Sequence, residues 1–246
     1  MLNMIRAELY RLRHCGIFLL LIVIASVVMS LGMYAIMSYP KFDALDLAAA
    51  TDIMGQTPWL LALCVVATIM GIYIGTSYNN RMSYYEIMNG YSPLKIIISK
   101  VISIGGSVSF IAVFPSALLM FFLWMSNGSG TIDNVARYFI MLVLTFVNAI
   151  VVCVLYAMLS RNIALASFVA YIRLAIVDML PIVLAASLKP ELMEGKWAYI
   201  PITGRLMRMT MVDSWEPVKT SLVAMLVECI IVSVLVYLVY KKKRFK

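Results

Sequence analysis

Apolar runs long enough to cross a bilayer recur six times along this chain, at Ile17–Tyr39, Pro58–Ser77, Val101–Met125, Tyr138–Leu159, Ile163–Leu188 and Lys219–Tyr240. A hydrocarbon core of ~30 Å takes ~20 such residues in a helix. Lipid offers the backbone no hydrogen bonds, so a spanning segment must be a helix or part of a closed barrel. The alternating strands of ~10 residues that a barrel needs are missing from the pattern. The expectation is an all-α polytopic membrane protein with six transmembrane helices in a single domain, 1–246. Composition agrees: 63% of residues are hydrophobic and 13% charged, against ~25% charged in a soluble globular chain. A water-soluble enzyme and a disordered chain are both excluded. The first run is too long, and too free of a small-residue cleavage site, to read as a signal peptide.

Charge orients the spans. With six crossings both termini share a side. That side carries Arg6, Arg11, Arg13, Arg81, Lys95, Lys100, Arg161, Lys241, Lys242, Lys243, Arg244 and Lys246 against the acids Glu8 and Glu86. The other side balances Lys41, Arg137, Lys189, Lys196, Arg205, Arg208 and Lys219 with Asp43, Asp46, Asp52, Asp133, Glu191, Glu194, Asp213 and Glu216. The positive-inside bias expects both ends in the cytoplasm and the chain in the cell membrane. The formal net charge of +8 is spread over four short segments, so it is topological, and no nucleic-acid partner is expected.

The connecting segments carry their own signals. Residues 1–15 set Leu2, Ile5, Leu9 and Leu12 at helical spacing with arginines around the rest of the wheel. That pattern predicts a helix lying in the bilayer interface. The segment 189–218 is the longest outer loop, and Trp197, Tyr199, Ile200, Pro201, Ile202, Leu206, Met207 and Met209 punctuate it. Large apolar groups in such number predict a segment that folds back on the membrane surface or re-enters it shallowly. His14 and Cys15 are too few for a metal site, which wants three or four convergent ligands. Cys64, Cys153 and Cys229 read as small hydrophobes on separate spans.

Between the second and third spans, residues 78–95 read as a compact inner knob. A short helix over roughly Arg81–Met88 is stopped by Asn89-Gly90 in a left-handed turn. Ser92 is the candidate N-cap of the next helix, with Pro93 at its first position. Arg81, Tyr84, Tyr85, Glu86, Met88, Asn89 and Gly90 form an amphipathic surface of the kind that seats in a groove on another protein.

The stretch Tyr78-Asn-Asn-Arg81, Tyr85-Glu-Ile-Met-Asn-Gly90, Ser92 and Lys95 through Ser99-Lys100 resembles the membrane subunits of type-2 ATP-binding-cassette (ABC) exporters, in the small six-span branch near peptide-antibiotic and lantibiotic resistance and immunity transporters. That branch typically reads acidic-Tyr-Lys-Asn-Arg-Thr, then Glu-Ile-x-x-Gly-x-Ser-Arg, then Ile-Ile-x-x-Lys. This chain departs from it with Ser77 at the acidic place, Met82 at the Thr place and Pro93 after Ser92. The resemblance implies that the knob is a coupling helix docked on a separate ABC ATPase, with ATP and Mg on that partner. It also implies a second permease subunit, identical or paralogous, and export of a hydrophobic or amphipathic peptide or antimicrobial compound. The residues themselves agree on the division of labour. A phosphate-binding loop needs Gly-x4-Gly-Lys-Ser/Thr, and Gly195-Lys196 is followed by Trp197 and preceded by no glycine at the required spacing. No cofactor is expected on this chain. An ATP-independent carrier or channel, an intramembrane enzyme and a non-transporting scaffold remain the other function classes.

Three ionisable residues fall inside spans: Arg173 and Asp178 in the fifth, Glu228 in the sixth. Each costs ~2.5–3.5 kcal/mol at a helix centre unless partnered or wetted. Arg173 and Glu228 are the expected cross-helix pair, with Asp178 nearer the outer side. They serve as a packing ion pair, a polar contact beside a pathway, or a proton relay. Gly71-x-x-x-Gly75 lets helices approach closely, through packing within the subunit or between subunits. Pro115 and Pro181 are expected to kink their helices.

Overall fold

The computed structural model describes residues 2–21, 23–24, 27, 58–80, 82–111, 113–114, 132–160, 162–188, 195–207 and 214–243. Among these every regular element is helical. Helix α1 is Leu2–Arg13, α2 is Pro58–Asn79, and α3 is the short Met82–Met88. Helix α4, Pro93–Lys100, runs through a π segment, Val101–Gly105, into helix as far as residue 111. Helix α5 is Ile132–Leu159. Helix α6, Ile163–Ile172, passes through a second π segment, Arg173–Val177, into α7, Met179–Leu188. A 3-10 turn at Lys196–Tyr199, helix α8 at Ile202–Met207 and the long α9, Glu216–Lys243, complete the chain.

Among the described residues, three helical stretches are long and apolar enough to cross a bilayer: Pro93–Ile111, Ile140–Leu159 and Glu216–Lys242, with mean hydropathy 1.7, 2.6 and 2.8. They coincide with the expected third, fourth and sixth spans, the third beginning at Pro93 rather than Val101. The second span falls on α2, where Val65–Ser77 forms a shorter apolar helix. The fifth is helical from Ile163 to Leu188 but is broken at its middle by the π segment and Asp178. Most of the expected first span, the outer half of the third and Pro115 lie outside the described residues.

Helix α5 is the axis of the bundle. Met141, Leu142, Phe146, Ala149, Ile150, Val154, Leu155 and Met158 are all buried on it, and α2, α6, α8 and α9 pack around it. Hydroxyls inside these helices turn back on their own backbone. Thr145 Oγ1 donates to the Met141 carbonyl at 2.7 Å, and Ser103 Oγ to the Ser99 carbonyl at 2.6 Å. Such bonds let a hydroxyl sit where no water reaches it. Helix α9 is half covered. Val218, Ser221, Val232, Val236 and Tyr240 are buried at helical spacing, while Leu222, Leu226, Ile230, Val234 and Leu238 are exposed.

Helix α1 sets one face against the protein. Met4, Glu8 and Leu12 are the residues it buries, whereas Leu2 and Leu9 are exposed. The buried face is rotated toward Met4 because a salt bridge, described below, anchors Glu8 within the protein. Leu2 and Leu9 are left on the neighbouring strip, the part of the helix available to a lipid interface.

Candidate functional site

The knob between α2 and α4 folds as its residues require. Helix α3 ends in a Schellman motif: the Gly90 N–H donates to the Ile87 carbonyl at 3.1 Å and the Tyr91 N–H to the Glu86 carbonyl at 3.3 Å. That geometry places a left-handed residue after the helix, and Gly90 takes it with φ of 78°. Ser92 is the N-cap of α4 with an extended backbone, and Pro93 opens the helix, although the Ser92 side chain makes no capping hydrogen bond. The tip is solvent-facing: Tyr85, Met88, Asn89 and Gly90 are all exposed, the first two by 60% and 66%. Tyr84 lies on α3, and Arg81 lies outside the described residues.

Glu86 behaves differently from its neighbours. Its carboxylate turns inward, 3.6 Å from Arg11 Nη1 and 3.8 Å from Lys100 Nζ. The same two cations hold Glu8. Lys100 Nζ donates to Glu8 Oε1 at 3.2 Å, Arg11 Nη1 to the same oxygen at 3.3 Å, and the Tyr73 hydroxyl to Glu8 Oε2 at 3.4 Å. Helices α1, α2, α3 and α4 thus meet on one set of charges. Glu8 and Lys100 are almost wholly buried, and isolated charges there would be prohibitive. Burial pushes the Glu86 carboxyl above its ordinary value; Lys100 pulls it back, Glu8 raises it again, and Arg11 lowers it. The sequence reading missed Glu8 and Lys100. Glu8 is the sole acid in the first 42 residues, and Lys100 closes a helix that continues directly into an apolar run.

A second charged cluster sits deep between α6, α7, α8 and α9. Arg173 Nε donates to Glu228 Oε1 at 2.9 Å, and its Nη2 reaches the same oxygen. Its Nη1 donates to Asp178 Oδ1 at 3.1 Å, and the guanidinium lies 5.9 Å from the centre of the Tyr156 ring. The expected pair is therefore present, and Asp178 joins it. Residues five apart on an α-helix point ~140° away from each other at 3.6 residues per turn. Here the Asp178 N–H bonds to the Arg173 carbonyl at 3.2 Å, the i+5 bond of a π turn, which wraps both side chains onto one side.

Asp178 is also fixed from outside. The Thr203 N–H donates to its Oδ2 at 2.6 Å, and the Thr203 hydroxyl donates to the Asp178 carbonyl at 3.1 Å. Arg205, wholly buried, donates through Nε to the Tyr199 carbonyl at 2.7 Å and through Nη2 to the Ile200 carbonyl at 2.8 Å. The described part of the segment 189–218 is thus pinned against the bundle by a threonine and an arginine. The sequence reading gave neither residue this role.

A cavity of about 940 Å³ opens beside this cluster. Val223, Val227 and Ile231 of α9 form one wall, Val177 and Pro181 the other, and Trp197 with Ile200 comes from the segment 189–218. Arg173, Asp178 and Glu228 supply its polar side, and Lys219 and Thr220 also line it.

The glycine pair is a contact within the subunit. A Cβ on Gly71 would lie 2.4 Å from the Ser167 Cα, and one on Gly75 would lie 2.5 Å from the Ile163 Cα. Helices α2 and α6 therefore touch backbone to backbone. Comparison of the chain with protein-family models, characterised proteins and solved structures gives no match.

Proposed function

We propose that this chain is the permease subunit of an ATP-driven exporter. In this reading six helices cross the cell membrane with both ends in the cytoplasm. A second permease subunit faces this one, and a separate ABC ATPase binds ATP and Mg and seats the α3 knob. The cargo is a hydrophobic or amphipathic peptide or antimicrobial compound.

The observation that carries this reading is the construction of the knob. Tyr85, Met88, Asn89 and Gly90 are exposed together at the tip of a seven-residue helix, a compact amphipathic surface suited to a partner's groove. Behind that tip, Glu86 lies against Arg11 of α1 and Lys100 of α4. A push delivered to the tip is borne by three helices rather than absorbed by a loose loop. Closure of the ATPase would thus reach the spans through buried charges. The chain lacks the Gly-x4-Gly-Lys-Ser/Thr loop needed to bind nucleotide in that manner, so the hydrolysing subunit is assigned to the partner.

The test uses Y85A/M88A, which removes exposed side chains and leaves the charges behind them intact. Expressed in its native host, where the parent is expected to co-purify with an ABC ATPase, the variant should retain the thermal stability of the parent. It should lose the co-purifying ATPase and ATP-dependent cargo export. Full retention of both would refute the coupling role.

A further inference from the structure

Among the described residues, one oxygen of Glu228 has no hydrogen-bond donor. Both contacts from Arg173 fall on its Oε1, and no described residue donates a hydrogen bond to Oε2. Asp178, by contrast, has both oxygens engaged, by Arg173 and by the Thr203 N–H. Glu228 is also the most accessible member of the trio, its side chain 22% exposed against 11% for Arg173 and 3% for Asp178, and it lines the cavity. A carboxylate lining an apolar chamber with an oxygen unengaged calls for a donor, and a cationic donor most of all.

The chamber has the shape for the rest of such a molecule. Its lining on α9 runs from Lys219 to Val232, about 20 Å at 1.5 Å per residue. Apart from the trio and Lys219, the walls are almost entirely aliphatic or aromatic. Glu228 lies nine residues along the helix from Lys219, or about 14 Å, so its charge is deep while the cation is near the start of α9. Arg205 holds the backbone of the outer segment and does not line the cavity.

We infer that this cavity binds a single-chain amphiphile bearing a protonated primary amine, its ammonium donating to Glu228 Oε2 and its alkyl chain lying along Val223 and Val227 toward Trp197. The arrangement selects against an ordinary membrane lipid, whose head stays at the surface while its tail goes deep. It also selects against an anionic head, which would meet Oε2 without a proton to offer. The inference deepens the exporter reading by naming a class of cargo, and rests on that reading only for the amphiphile being moved.

Trp197 provides the readout. The test places the full chain, with Trp59, Trp124 and Trp215 replaced by phenylalanine, in phosphatidylcholine nanodiscs. It titrates quenching of Trp197 by ω-bromoundecylammonium and by the neutral ω-bromoundecanol. The parent should show saturable quenching by the ammonium at a concentration about tenfold lower than the alcohol, the size of one charge-assisted hydrogen bond. E228Q should bring the two together by weakening the ammonium alone. A224F, which fills the chamber one helical turn from Glu228 and keeps Trp197 as the single tryptophan, should abolish saturable quenching by both. Equal quenching by both probes in the parent would mean ordinary lipid occupancy and overturn the inference, as would a preference unchanged in E228Q. No ATPase is present in the assay, so failure here leaves the knob's role standing, and failure of Y85A/M88A leaves this site standing.

Discussion

The seam between α2 and α6 permits a quantitative test, because its two glycines meet backbone rather than side chain. In Gly71→Ala the new methyl carbon would stand 2.4 Å from the Ser167 Cα, 2.6 Å from its nitrogen and 2.8 Å from the Ala166 carbonyl carbon. Carbon atoms settle at ~3.5–4.0 Å, so the helices must part by about an ångström along the seam. Overpacking costs ~1–3 kcal/mol. The upper figure applies here, since three backbone atoms cannot rotate out of the way. Alanine returns about 1 kcal/mol of helix propensity, leaving a net loss of about 2 kcal/mol, roughly a 30-fold fall in the folded-to-unfolded ratio. Gly106→Ala is the control: nothing lies within 4 Å of its Cβ position, so it should gain ~0.5–1 kcal/mol. Reversible unfolding in mixed detergent and SDS micelles, followed by circular dichroism, measures both. If Gly71→Ala proves as stable as Gly106→Ala, the backbone contact is wrong.

Three further outcomes follow from the charged clusters. Lys100→Met leaves Glu8 and Glu86 to share Arg11 and should cost up to about 3 kcal/mol, whereas adding Glu8→Gln should recover much of the loss; equal stability of the single and double variants would contradict the pairing of Lys100 with Glu8. Arg173→Ala leaves two acids without their shared cation, so it should destabilise more than Glu228→Gln, and a double-mutant cycle should show a coupling of about 0.5–3 kcal/mol. The Glu86 carboxyl is raised by burial, so the folded chain binds its proton more readily than the unfolded chain does. Its contribution to stability is therefore complete below the ordinary glutamate value and is lost as pH rises through the raised one. Thermal melting at pH 5 and pH 7 should show this gain on acidification in the parent, and Glu86→Gln should lack that part of it.

The sequence exposes the helices more readily than their faces. Apolar runs marked the three long membrane-length helices because lipid imposes a minimum length. Asn89-Gly90 and Ser92-Pro93 marked the knob's boundaries because only certain backbones fit there. Arg173 and Glu228 could be paired because few other charges shared their surroundings. Asp178 could not be assigned to the same group, since α-helical spacing turns it away from Arg173 and only the π turn brings it back. The protein-facing side of helix α1 was hidden for a related reason. Apolar periodicity ranks Leu2 and Leu9 above Glu8, yet a glutamate with a buried lysine partner can replace a leucine at the contact face. Glu86 illustrates the limit within a single short helix: its neighbours Tyr85 and Met88 point outward, and only the position of Arg11 and Lys100 turns it in.

Zero clearance between α2 and α6 has a mechanical result. Where Gly71 and Gly75 lie flush against Ser167 and Ile163, the two helices can neither roll nor slide over each other without a steric collision. They act as one stiff spine, with the knob attached beyond the Asn79 end and Arg173 at the top of α6. A tilt imposed below must swing that guanidinium as a rigid arm, moving the acids it holds and the wall of the chamber with it.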